Sequence, residues 1–303
     1  MAPISSDEKK LFRGRGAVTN PTSRFENHAY VRDEDAAPDE GTSVATELIP
    51  DKTKSILATN DSPDVGFDTS INVYRGCEHG CVYCFARPSH EYLGYSSGLD
   101  FETKIVVKYD APEMLREALL SKKWQPRVIG MSGVTDCYQP AEKKLQLTRR
   151  CLEVLAEFRN PVMIITKNAL VTRDIDLLGD LAQHGAAAVF VSITTLDPEL
   201  ARIMEPRTSS PQMRLDAVRQ LSAAGIQVGV LNAPIIPAIN DHEMPAVLAA
   251  AKAAGAISAG YTMVRLPFQL KSIFESWLDT HFADRKDKVL HQIQQLHLSL
   301  IHI

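Results

Sequence analysis

The 303-residue chain contains no apolar run near the roughly 20 residues that a membrane span requires. Its first residues, "MAPISSDEKKLFRGRG", lack the apolar core of a secretory signal. Positive charge is not in excess: 33 Lys and Arg stand against 37 Asp and Glu, giving a net charge of -4. Proteins that bind nucleic acid through their overall field are usually basic, so bulk charge gives that function no support; only a local basic groove stays open. Cysteine is scarce, at five residues. That argues against a disulfide framework in a chain this long and points to a cytoplasmic protein without membrane attachment.

Scarcity makes the distribution of cysteine informative. Three of the five lie in "YRGCEHGCVYCFARP", at Cys77, Cys81 and Cys84. A tight C-x3-C-x2-C group in a reducing compartment is a metal or redox site before it is anything else. A structural zinc takes four protein ligands and would recruit His79, His90 or Cys137 as the fourth. A redox pair of Cys81 and Cys84 leaves Cys77 without a role. An electron-transfer [4Fe–4S] cluster takes four cysteines. If the centre is a cluster, three thiolates leave one iron open to a substrate or cofactor.

Residues 1–60 are polar, with charge runs such as "VRDEDAAPDEG" and no sustained period. They read as an extended or partly disordered arm, with "GRGAVTNPTSRFE" lying across the folded body. From about residue 70 the pattern changes. Strand candidates "INVYRG", "RVIGMSG", "VMIITK", "AVFVSIT", "IQVGVLNAPII" and "YTMVRLP" alternate with helix candidates. "PEMLREALLSKK" carries Pro at its start, and "AEKKLQLTRRCLEVLAEF" has helical apolar spacing throughout. Three later helices end at Gly185, Gly225 and Gly255, the residue type favoured just past a helix. Six βα repeats imply a parallel sheet in an open or partial barrel, spanning residues 61–297 with a C-terminal helix. Such folds carry chemistry at the C-terminal strand ends. The cysteines, "SGVTDCY", Lys167, Ser192 and "NAPIIP" all fall at those ends. The last six residues, 298–303, "LSLIHI", read as a non-native tail on a chain truncated after its last helix.

With Tyr83 before its last cysteine, the cysteine spacing resembles the signature of the radical S-adenosylmethionine (SAM) superfamily. "VTDCYQPAEKK", "ITKNALVTRDIDLL", "VSITTLD", "EPRTSSP" and "GIQVGVLNAPIIPAINDHE" together resemble its branch related to spore photoproduct lyase. The arm sequence "GRGAVTNPTSRFE" resembles uncharacterised bacterial members of that branch. The resemblance implies an α/β fold, a partial (β/α)6 TIM-type barrel. It implies a [4Fe–4S] cluster on Cys77, Cys81 and Cys84, with SAM chelated at the open iron. A one-electron donor such as flavodoxin or ferredoxin would drive cleavage of SAM to a 5′-deoxyadenosyl radical, which abstracts hydrogen from an unknown substrate.

The implied roles extend to single residues. Lys167 and Ser192 match positions that bind the SAM carboxylate, and Thr135 matches a hydroxyl near the methionine end. Tyr83 and Phe85 flank the last cysteine and are candidates for packing on adenine. Spore photoproduct lyase uses a cysteine near the second strand as a hydrogen-atom donor, which makes Cys137 a candidate catalytic residue. The local match, however, puts Gly133 at the donor position, so a packed core thiol is the alternative. That departure counts against the rival function, DNA photolesion repair. A second rival is a structural metal or electron-transfer protein without SAM chemistry. Cys151 reads as core, and Asp136 and Glu142 as ion-pairing residues. Arg207 reads as a pocket residue or a surface pair, and His184, His242 and His281 as helix surface.

Overall fold

The computed structural model describes residues 12–25, 44–59 and 67–297. The proposed tail, 298–303, and the charge run of the arm lie outside the described residues. The strands are β1 (Glu47–Pro50), β2 (Leu57–Thr59), β3 (Thr69–Ile71), β4 (Tyr74–Arg75), β5 (Lys104–Val107), β6 (Ile129–Met131), β7 (Val162–Thr166), β8 (Ala187–Ser192), β9 (Gln227–Ile235) and β10 (Ser258–Met263). Seven of them form one sheet in the order β10-β9-β8-β7-β6-β3-β2. β3 and β6–β10 run parallel to one another, in register Ile71 with Met131, Met131 with Ile164 and Ile164 with Val189, and only the edge strand β2 runs antiparallel. Five of these strands fall on expected segments; the first expected strand, "INVYRG", is split, with Ile71 ending β3 in this sheet and Tyr74–Arg75 forming β4 in another, and helices between successive strands complete the partial barrel.

Burial explains why these segments are strands. Val162, Ile164 and Thr166 of β7 are buried while Met163 and Ile165 are half-buried, and β8 repeats the alternation. The inward residues join the helix Leu147–Glu157 and its successors in one large apolar core. A second core holds Val82 and Tyr83 against the helices Leu270–His281 and Lys286–His297. No helix among the described residues is long and apolar enough to cross a membrane.

The arm, expected to be extended or partly disordered, carries two strands between residues 47 and 59 that join the sheets of the body. β2 pairs antiparallel with β3 and ends the main sheet, and β1 pairs with β5 in a three-stranded sheet completed by β4. Both strands are too short and too exposed to show a period. The helix expected from Ala141 to Phe158 is two helices, Glu142–Leu145 and Leu147–Glu157, broken at Gln146 with φ +51°. The Glu142 carboxylate accepts the Thr148 N–H at 3.0 Å, so a side chain from the first helix satisfies the free N-terminus of the second.

Candidate metal and cofactor site

The cysteine loop begins directly after β4 and closes one rim of the barrel. The Phe101 carbonyl accepts the Cys77 N–H at 2.8 Å, and the Met204 carbonyl accepts the Val82 N–H at 3.0 Å. Cys77 and Cys81 are buried and Cys84 is half-buried. Burial pushes all three thiols above their ordinary range. Each is within electrostatic reach of another, and nearby backbone amides oppose the shift: His79 at Cys77, Ala86 and Arg87 at Cys84.

The rim residues meet this loop. His79 Nδ1 lies 3.3 Å from Asp136 Oδ2, and its Nε2 lies 3.3 Å from Asn168 Nδ2. Asp136 also accepts the Lys167 N–H at 2.7 Å, the Tyr138 N–H at 2.9 Å and the Thr166 hydroxyl at 2.8 Å. Burial disfavours this carboxylate, but His79 and the two amides outweigh it and hold its pKa low. The ends of β6 and β7 are thereby tied to the segment between the first two cysteines.

Tyr83 makes the link to β8. Its hydroxyl donates to Glu205 and lies 3.3 Å from Thr194 Oγ1. Glu205 also accepts from Thr194 and pairs with Arg214, and both members of the pair are buried. Arg214 donates onward to the carbonyls of Ser192 at 3.0 Å and Ser209 at 2.8 Å. Lys167 Nζ stands 5.8 Å from the centre of the Tyr83 ring, with no carboxylate at ion-pair distance among the described residues. Burial lowers its pKa.

The structure brings Tyr83, Lys167 and Ser192 onto the same rim as the cysteines. Thr135 is buried nearby, its hydroxyl donating to the Tyr74 carbonyl at 2.6 Å. Phe85 follows Cys84 and is 63% exposed. Cys137 points elsewhere: it belongs to the main apolar core with Tyr74, Tyr138 and Cys151. At Gly133, a side chain would press against Ser70 at 3.2 Å. Glu142 accepts from the Tyr74 hydroxyl and Arg173, and Arg207 pairs with Glu78 at 3.2 Å, so both are ion-pairing residues. His184, His242 and His281 are exposed. Sequence reasoning gave no role to Glu205 or Arg214, although Glu205 opens the motif "EPRTSSP" and Arg214 lies three residues after it.

The donor set fits an iron–sulfur cluster. Its thiols come from one loop, and its backbone amides face sulfur, as cluster-tuning hydrogen bonds require. Among the described residues, no three His, Cys, Asp or Glu side chains are gathered as a bare-ion site. A cluster does not need that arrangement, because each cysteine binds a different iron. The three zinc-completing candidates are engaged elsewhere. His79 faces Asp136 and Asn168, His90 packs on Phe101 and Tyr95, and Cys137 is in the core.

Comparison with known proteins agrees with this geometry. A profile of the radical SAM superfamily matches residues 71–251. An uncharacterised Mycobacterium tuberculosis protein is 37% identical over 214 residues, covering 70% of this chain and 63% of its own length. An uncharacterised Methanocaldococcus jannaschii protein is 32% identical over 197 residues, 65% of this chain and 71% of its own. The present chain thus spans less than two thirds of the mycobacterial relative. Among solved structures, a spore photoproduct lyase with bound AdoMet and dinucleoside spore photoproduct superposes with a TM-score of 0.58 at 17% identity. That match covers 78% of this chain and 67% of the lyase. At that identity the likeness is one of fold.

Proposed function

Because the chain belongs to the radical SAM superfamily, an enzyme family that uses SAM and an iron–sulfur cluster and needs a reductant and a substrate, we propose that Cys77, Cys81 and Cys84 hold a [4Fe–4S] cluster with one iron left for SAM. A reduced cluster held by Cys77, Cys81 and Cys84 would supply one-electron reduction of SAM, which would break its S–C5′ bond to give methionine and a 5′-deoxyadenosyl radical able to take hydrogen from a substrate. The observation that carries this reading is the meeting of the three-cysteine loop with the ends of β6, β7 and β8.

The chain's own groups suit the parts of SAM. Lys167 supplies a cation without a carboxylate partner among the described residues, and a carboxylate entering a dry pocket needs such a partner. Ser192 is buried at the end of β8, on the same rim. Thr135 donates its proton to Tyr74, so its oxygen stays an acceptor for an ammonium group. Phe85 presents an exposed ring for adenine, while Tyr83, with its hydroxyl fixed by Glu205, offers a ring face beneath Lys167. The electron donor is a small protein such as flavodoxin or ferredoxin. Photolesion repair draws no support from the net charge of -4 or from Gly133.

The test is anaerobic. Reconstituted protein given dithionite and SAM should form 5′-deoxyadenosine, and the Cys84→Ala variant should not. Uptake of zinc in place of iron and sulfide would overturn the reading.

A further inference from the structure

The arm reaches the cysteine loop from behind. Gly16 crosses Gly80, the residue before Cys81, so closely that a methyl group on Gly16 would lie 1.9 Å from the Gly80 carbonyl oxygen. Gly80 has φ +68°, and a side chain there would meet the Glu102 carboxylate at 2.7 Å. Both positions therefore require glycine.

Glu102 is where the two segments join. Its fully buried carboxylate accepts the N–H groups of Gly16 at 3.0 Å and Ala17 at 2.8 Å, and pairs with Arg87 at 2.5 Å. Arg87 is also fully buried. It donates to the Cys81 carbonyl at 2.9 Å and to the carbonyls of Ser97 and Gly98 at 3.2 and 3.0 Å. A second line runs from Arg15. It donates to the Glu102 carbonyl at 2.6 Å and to Thr46 at 3.0 Å, and Thr46 donates to Glu78 at 2.7 Å. Glu78 is the residue after Cys77.

We infer that residues 14–17 are a clamp on the cysteine loop, with Glu102 as the positioning residue that joins clamp to loop, and that docking of the clamp and occupancy of the loop stabilise each other. The inference rests on the cluster proposed above. A buried carboxylate held by two arm amides and one guanidinium fixes the backbone on which Cys81 sits. Groups that orient ligands in this way typically change metal affinity 10- to 100-fold when altered. Coupling is reciprocal, so a filled loop must also hold the arm more tightly.

The experiment uses the full chain, reconstituted anaerobically with iron and sulfide. Iron release to a chelator is followed by absorbance, and cleavage after the exposed Arg13 by trypsin is followed with and without the cluster. Gly16→Ala should lose iron about 10- to 100-fold faster than wild type. Filling the loop should slow cleavage at Arg13 in wild type and not in the variant, a readout that a merely structural arm would not move. Arg15→Ala, which adds no steric conflict, carries the same test if Gly16→Ala does not fold. Iron retention and tryptic protection equal to wild type in a folded variant would overturn the clamp and leave the cluster standing. A wild-type chain that takes up no iron and sulfide would overturn the cluster and the clamp's coupling with it.

Discussion

Along β7, β8 and β9 the buried side chains are mostly apolar, among them Ile164, Val189, Val191 and Val230, and none is charged; around the cysteine loop they include Arg87, Glu102, Glu205 and Arg214. The wall is held by apolar burial, which is non-directional and tolerates repacking. The loop is held by buried ion pairs and by glycines that admit no side chain. A buried pair is a poor source of net stability, but it fixes geometry, and removing one partner strands the other charge. Apolar packing therefore builds the barrel, and directional polar contacts set the one loop whose shape must be right.

The contrast breaks first at Arg214. Arg214→Ala leaves Glu205 buried and unpaired, and should cost about 3–5 kcal/mol in denaturant unfolding. It should also lower the iron bound per folded molecule. Leu155→Ala, in the wall's core, should cost about 2–5 kcal/mol and leave that stoichiometry unchanged. Equal iron loss in both variants would erase the distinction.

A pH series sharpens it. His90 is buried in the turn Arg87–Leu93, and neither ring nitrogen has a hydrogen-bond partner, although the carbonyls of Asp100 and Lys104 lie near. Burial pushes its pKa down to about 4, from an ordinary value near 6.5. The folded state resists this proton and the unfolded chain accepts it. Stability should thus be full above about pH 6.5 and fall toward pH 4 by up to about 1.4 kcal/mol per pH unit. Unfolding midpoints at several pH values should show this slope, reduced in His90→Gln; parallel curves for the two proteins would remove His90 as its source. The smallest effect is expected at Cys137. Cys137→Ala should cost about 1 kcal/mol, as for loss of one buried methylene-sized group, with 5′-deoxyadenosine formation intact. Lost product from a folded, iron-loaded variant would return Cys137 to the chemistry.

The same contrast explains what the sequence disclosed. The short apolar runs "VMIITK" and "AVFVSIT" marked β7 and β8 because every residue of each strand is buried or half-buried. Spacing marked the cysteine loop because three thiols within eight residues need no tertiary information. β1 and β5 were not legible: each is four residues long, and they lie more than 50 residues apart in the chain. Nor could any local pattern reveal that Glu205 would meet Tyr83, 122 residues away, or that Asp136 would receive the Lys167 amide. Periodicity reports a buried face, whereas a buried charge reports nothing until its partner arrives.

The crossing of Gly16 over Gly80 also has an order in time. Gly16 leaves the ribosome 86 residues before Glu102, the group that grips it. At ordinary synthesis rates that is about 4 to 17 seconds. Closing a loop of that length then costs on the order of 4 kcal/mol of chain entropy, which favours late docking of the arm. The cysteine loop is therefore open on its rear side until the arm docks, and a segment made before the loop is braced only after the loop has been made.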